Sequence, residues 1–109
     1  MMIDHSLGEF QELVLLIVAA LHNEAYGVSI HKNLEKETGK KINISAIHVA
    51  LKRMEEKGFV TSAYGGITKD RGGRRKKYYT ITALGKRVLD NQYALRTKIY
   101  QKIPKISFN

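Results

Sequence analysis

The apolar residues of this chain keep a helical period as far as Gly58 and an alternating one directly after it, so the sequence asks for a helical unit followed by a β-hairpin. On the helical side, Phe10, Leu13, Val14, Ile17, Val18 and Leu21 recur at helical spacing, and Leu15, Leu16, Ala19 and Ala20 make the other face apolar too. This predicts a first helix over residues 7–22 that is buried on most sides. Ser6-Leu7-Gly8-Glu9 reads as its capping box, with Ser6 taking an orphan N–H and Glu9 reaching back to the cap. Tyr26-Gly27 opens a second, amphipathic helix with Val28, Ile30 and Leu34 inward, Lys32, Glu35, Lys36 and Glu37 outward, and Gly39 as its stop. A basic linker, Lys40-Lys41-Ile42, leads to Asn43, which can cap a third helix that ends before Gly58. Ile44, Ile47, Leu51 and Met54 lie on one side of that helix, and Ser45, His48, Val49 and Lys52 on the other.

Beyond Gly58, residues 59–64 and 76–81 are rich in β-branched and aromatic side chains and read as two antiparallel strands. The stretch between them, residues 65–74, is too rich in glycine for a regular element and is expected to be the hairpin loop. Thr82 can cap a last helix that runs to about Lys102, before Pro104 stops it. Three helices, a hairpin and one further helix give a mainly α chain with a small β-hairpin wing, the order of a winged helix-turn-helix. The expected division is a winged unit over residues 1–82 and a C-terminal dimerisation helix with a short tail over residues 83–109. At 109 residues the chain is long enough to fold around a single core without disulfides or metal.

In this arrangement the outward face of the third helix enters a major groove, and the wing lies along the neighbouring backbone. Ser45 and His48 can hydrogen-bond to base edges or phosphates, Val49 can touch a thymine methyl, and Lys52 can serve either. A plainer reading of that face is a solvated helix surface. The wing carries the sharper signal: Arg71, Arg74, Arg75, Lys76 and Lys77 cluster around a Gly-Gly tip, where mutual repulsion gains the fold nothing. Contact with phosphates explains the cluster better, since the planar arginine fork grips phosphate oxygens in pairs. The net charge of +9, from 19 Lys and Arg against 10 Asp and Glu, points the same way. Of the two strand tyrosines, Tyr79 shares a face with Ile81 and belongs to the core, while Tyr78 points away and can reach a phosphate.

These residues resemble the PadR family of bacterial winged-helix regulators, in particular its short members with a single C-terminal helix. The likeness runs through Leu7-Gly8-Glu9-Phe10, Glu24-Ala25-Tyr26-Gly27-Val28, Leu51-Lys52-Arg53-Met54-Glu55-Glu56-Lys57-Gly58-Phe59-Val60, Arg71-Gly72-Gly73-Arg74 and Tyr78-Tyr79-Thr80-Ile81-Thr82. The resemblance implies a transcriptional regulator, expected to be a repressor, that binds double-stranded DNA at a pseudo-palindromic operator as a homodimer. Where family members carry a tyrosine in the recognition helix this chain has His48, which would make a contact there weaker or pH-dependent near neutrality. The family dimerises largely through its last helix, where Leu84, Val88, Leu95, Ile99 and Ile103 form an apolar stripe widened by Leu89, Tyr93 and Tyr100. Some members bind small aromatic effectors at the dimer interface, which makes such an effector a candidate partner, although this chain has no tryptophan to line a pocket.

Other functions fit the sequence less well. No cysteine is present, the four histidines show no metal-ligand spacing, and neither a phosphate loop nor a Ser-His-Asp set stands out, so neither an enzyme nor a resident cofactor or metal is expected. The apolar run over residues 13–21 is about half a membrane span, and Asp4 and Glu9 stand where a signal peptide would be basic, so a cytoplasmic protein is expected. The alternative is a winged-helix module used for protein–protein or RNA contact, without operator recognition.

Overall fold

The computed structural model describes residues 7–67 and 75–106 of the chain. Helices α1 (Glu9–Leu21), α2 (Gly27–Thr38) and α3 (Ile44–Glu56) are followed by strands β1 (Val60–Ile67) and β2 (Arg75–Ile81), and by helix α4 (Ala83–Tyr100). A 3₁₀ turn, His22–Glu24, joins α1 to α2. The two strands form one antiparallel sheet, so the architecture is a winged helix-turn-helix with α2 and α3 as the helix pair. Among the described residues no helix is long and apolar enough to cross a membrane.

The ends of the elements follow from capping chemistry, with one shift. Asn43 Oδ1 accepts the Ser45 amide at the start of α3, and Thr82 Oγ1 accepts the Gly85 amide at the start of α4. Gly39 ends α2 in the left-handed conformation at φ 69, and its amide donates to the Glu35 carbonyl. Helix α1, however, begins at Glu9 with Gly8 as its N-cap and no side-chain bond there. Ser6, expected to be that cap, lies outside the described residues, and Glu9 is the first helical residue rather than the closing member of a capping box. At the other end His22 leaves the helix, because its backbone turns to φ 53.

The core gathers Val14, Leu15 and Val18 of α1, Ile30 and Leu34 of α2, and Ile47, Leu51 and Met54 of α3 around Phe59 and Val60, all essentially out of solvent. Burial of these side chains is the main driving force for closing three helices on the hairpin. Phe59 ties the pieces together through its backbone: its amide donates to the Met54 carbonyl, and its carbonyl accepts the Thr82 amide. Some apolar side chains depart from expectation. Leu16 is 44% exposed, so α1 keeps one open face, and Ile44 is 40% exposed at the rim of α3 instead of in the core.

The strands reach further than composition suggests. Residues 60–64 pair with 77–81, and after a bulge Ile67 pairs with Arg75, so Gly65 and Gly66 lie in a strand and not in the loop. Cross-strand packing explains the glycine, since a Cβ on Gly65 would sit 2.5 Å from Tyr78 Cε1. The missing side chain is the space that the tyrosine ring fills.

Candidate nucleic-acid interface

Helix α3 buries Ile47, Ala50, Leu51 and Met54 on one side. At about 100° per residue, Ser45, Val49, Lys52 and Glu56 fall on the opposite side, and all four are exposed. Val49 is 51% exposed, and neither Lys52 nor Arg53 has an ion pair among the described residues. A ridge with that much free apolar and cationic surface is open to an external partner. Arg53, which sequence reasoning passed over, stands one position around the helix from Lys52, towards Gly8 and Gln11 at the start of α1. Its signal was the helical rotation itself, which leaves it pointing away from Ile47 and Leu51.

The polar groups at the head of α3 are partly committed. Ser45 Oγ donates to Asn43 Oδ1 at 2.5 Å, so its only hydroxyl proton is used and its lone pairs alone remain for an external donor. A phosphate, which needs a donor, is therefore a poor partner for Ser45, while a base amino group suits it. His48 is exposed, and its ring nitrogens have no hydrogen bond among the described residues. Its ring lies against the first turn of α2, where a Cβ added to Gly27 would stand 3.0 Å from His48 Cε1.

The wing is anchored by tyrosines. Tyr26, just ahead of α2, bridges Tyr78 of β2 as a one-residue third strand, and the Tyr79 amide donates to the Ala25 carbonyl at 2.8 Å. The Tyr26 and Tyr78 rings meet edge to face at 5.4 Å, and Lys76 Nζ lies 4.2 Å from the centre of the Tyr26 ring. On the other face of β2, Lys77 Nζ stands 5.9 Å from both the Tyr64 and the Tyr79 ring centres. Tyr79 is buried, and burial raises its phenol above the usual pKa, with Lys77 opposing the shift. Tyr26 gave no local signal for its anchoring role, because its partner is 52 positions away in the sequence.

Arg75 is exposed, and Lys76 and Tyr78 are half-buried. Arg75, Lys76 and Lys77 of β2 line an open cleft of about 370 Å³ together with Ile44 and His48 of α3 and Tyr26 and Gly27 at the head of α2. The structure thus brings His48 and the basic base of the wing together across one cleft. Arg71 and Arg74 lie outside the described residues. Lys76 is held by an aromatic ring, so Arg75 is the freer cation at the wing's base.

Helix α4 divides into two halves. Gly85, Val88 and Leu89 are buried, and Glu12 of α1 accepts from Gln92 Nε2 at 2.8 Å and from Arg96 Nη2 at 3.1 Å. Beyond Gln92 the apolar side chains stand open, with Leu95 58% and Ile99 57% exposed, and Ile103 and Tyr100 exposed as well. Of the stripe expected to face a partner, Val88 is therefore already in this chain's core and Leu84 is half-buried against it. Leu84, Val88, Leu95 and Ile99 line a shallow groove of about 570 Å³ with Leu7 and Arg87.

The sequence matches the family model of the Transcriptional regulator PadR-like family over residues 14–91. A PadR family transcription regulator from Clostridium difficile R20291 is 29% identical and superposes with a TM-score of 0.70, over 86% of this chain and 93% of that one. A transcriptional regulator from Clostridium thermocellum is 27% identical with a TM-score of 0.64, over 87% of this chain and 92% of that one. An uncharacterized protein of Lysinibacillus sphaericus is 30% identical over 84 residues, covering 75% of this chain and 72% of its own length.

Proposed function

The chain belongs to the PadR-like family of transcriptional regulators, and from that premise we propose that it regulates transcription by binding double-stranded DNA as a homodimer on a pseudo-palindromic operator. One observation carries the reading. Helix α3, which carries the exposed ridge, also contributes Ile44 and His48 to one cleft shared with the cationic base of the wing, so that both can meet the same stretch of duplex. Val49, Lys52 and Arg53, with the lone pairs of Ser45, contact the major groove, and His48 stands beside the backbone. Arg75 and Lys76, together with Arg71 and Arg74 of the wing tip, neutralise phosphates, and the Tyr78 hydroxyl adds a further contact. Binding at the operator excludes other proteins from it, which is repression.

Residues 1–82 form the reading unit in this scheme, and residues 83–109 supply the contact with the second copy. Leu95, Ile99 and Ile103, which stay exposed among the described residues, are the centre of that contact, with Leu84 and Val88 at its inner edge. A small aromatic effector would lie in the groove beside Leu84 and Ile99, and a cytoplasmic location follows from a DNA partner.

Two measurements test the proposal. Arg75→Ala is expected to weaken binding to every duplex alike and to lower the slope of log affinity against log salt by about one unit, the signature of one lost phosphate contact. An unchanged slope removes Arg75 from the interface. Leu95→Glu combined with Ile99→Glu is expected to convert a dimer into a monomer in sedimentation equilibrium while leaving the helical circular-dichroism signal in place, because both positions are exposed within one chain. A variant that sediments like the wild type places the partner contact elsewhere.

A further inference from the structure

The turn between α2 and α3 is held by side chains from α2. The Ile42 amide donates to Glu35 Oε2 at 2.7 Å, and the Ile42 carbonyl oxygen accepts from His31 Nε2 at 2.7 Å. The two side chains stand one helical turn apart, with His31 Nε2 and Glu35 Oε2 3.4 Å from each other. Both polar groups of a single peptide residue are thus gripped from the same helix face. Earlier in the turn, the Gly39 amide donates to the Glu35 carbonyl and the Lys40 amide to Thr38 Oγ1. The next residue after Ile42 is Asn43, the cap of α3.

Ile42 is therefore a fixed point between the two helices. Its side chain packs against the core, and its backbone is held in both directions. The Glu35 bond is charge-assisted and so among the stronger kinds. The His31 bond requires a proton on Nε2, which both the imidazolium and one neutral tautomer supply. Helix α3 has 13 residues and a length of about 20 Å, so a tilt of about 10° at this pivot displaces its far end by about 3 Å. A displacement of that size defeats hydrogen bonds to base edges, whose geometry is strict, while long lysine and arginine side chains still follow a phosphate.

We propose that His31 and Glu35 are positioning residues that fix the direction in which α3 leaves the turn, and that they thereby set sequence discrimination without touching DNA. The inference rests on the duplex-reading function proposed above. It separates two quantities that loss of an ordinary stabilising contact would move together: affinity for the preferred duplex and affinity for any duplex.

The probe is a duplex enriched from a random-sequence pool by the wild-type chain, with a scrambled duplex of the same length as reference. His31→Ala and Glu35→Leu are expected to lower the ratio of the two affinities about tenfold, with the scrambled-duplex affinity and its salt slope unchanged. His31→Gln and Glu35→Gln, which keep a donor and an acceptor within reach of Ile42, are expected to restore the ratio. A ratio unchanged in the alanine and leucine variants, or both affinities falling in parallel, overturns the inference. Amide exchange in the wild-type chain gives a reading that needs no variant: the Ile42 amide exchanges slowly if the clamp is closed, and exchange at the rate of a free peptide overturns it. Failure of the wild-type chain to enrich any duplex sinks the function reading and this inference together. Enrichment with discrimination indifferent to residues 31 and 35 sinks the inference alone.

Discussion

Gly85→Ala lowers the midpoint of thermal unfolding by about 10 °C, although the same change in an ordinary helix interior raises stability. Alanine gains about 1 kcal/mol over glycine inside a helix. At this position in α4, however, a Cβ would fall within the contact distance of the Phe59 carbonyl oxygen and stand 3.0 Å from Ile81 Cγ1. The carbonyl cannot move aside cheaply, since it accepts the Thr82 amide and belongs to a fully buried residue. Forcing a methyl group into such a space costs about 3 kcal/mol, so about 2 kcal/mol of net destabilisation remains, which for a chain of this size is about 10 °C. Gly8→Ala is the steric control, because nothing lies within 4 Å of its added Cβ and only the loss of a glycine cap remains. A midpoint unchanged in Gly85→Ala would mean that α4 does not sit against Phe59.

Reversing both ridge cations, Lys52→Glu with Arg53→Glu, is expected to weaken duplex binding at least about 100-fold at moderate salt, because two attractive contacts become two repulsive ones. Stability should hardly change. Both side chains are exposed and unpaired among the described residues, and such surface changes stay within about 0.5 kcal/mol each. Lys32→Glu with Lys36→Glu on the exposed side of α2 gives the comparison at equal change of charge, and is expected to cost far less. The readout is a titration of a labelled duplex, beside a thermal melt of each variant. Equal losses from the two pairs would reduce the effect to net charge, and an undiminished affinity in the ridge variant would favour a winged module that meets protein or RNA by another face.

Much of the fold was legible because local chemistry marks it. Asn43, Thr82 and Gly39 are residues whose side chain, or lack of one, suits a helix end, and all three stand at such ends. The change of period at Gly58 marks the passage from α3 to β1, and Gly58 itself takes a φ of 82. What escaped was non-local. Gly65 looks like a loop residue until the Tyr78 ring is seen to occupy its missing side chain, and Tyr26 becomes a strand partner only through Tyr78. The start of α1 moved because Gly8, which has no side chain to mark it as a cap, takes the extended conformation that a cap requires. For the candidate site, the exposed ridge could be drawn from helical rotation alone. The commitment of the Ser45 proton, the ring beneath Lys76 and the clamp on Ile42 were not legible, since each depends on a distance between groups that no pattern specifies.

Thr82 has a consequence for how the parts of the molecule move. Its hydroxyl donates to the Gly58 carbonyl at 2.6 Å, just past the end of α3, and accepts from Gly85 in the first turn of α4. One oxygen atom thus joins the residue just past α3 to the first turn of α4. A change in the direction of α4 would therefore be felt at Gly58, directly beyond the last turn of α3.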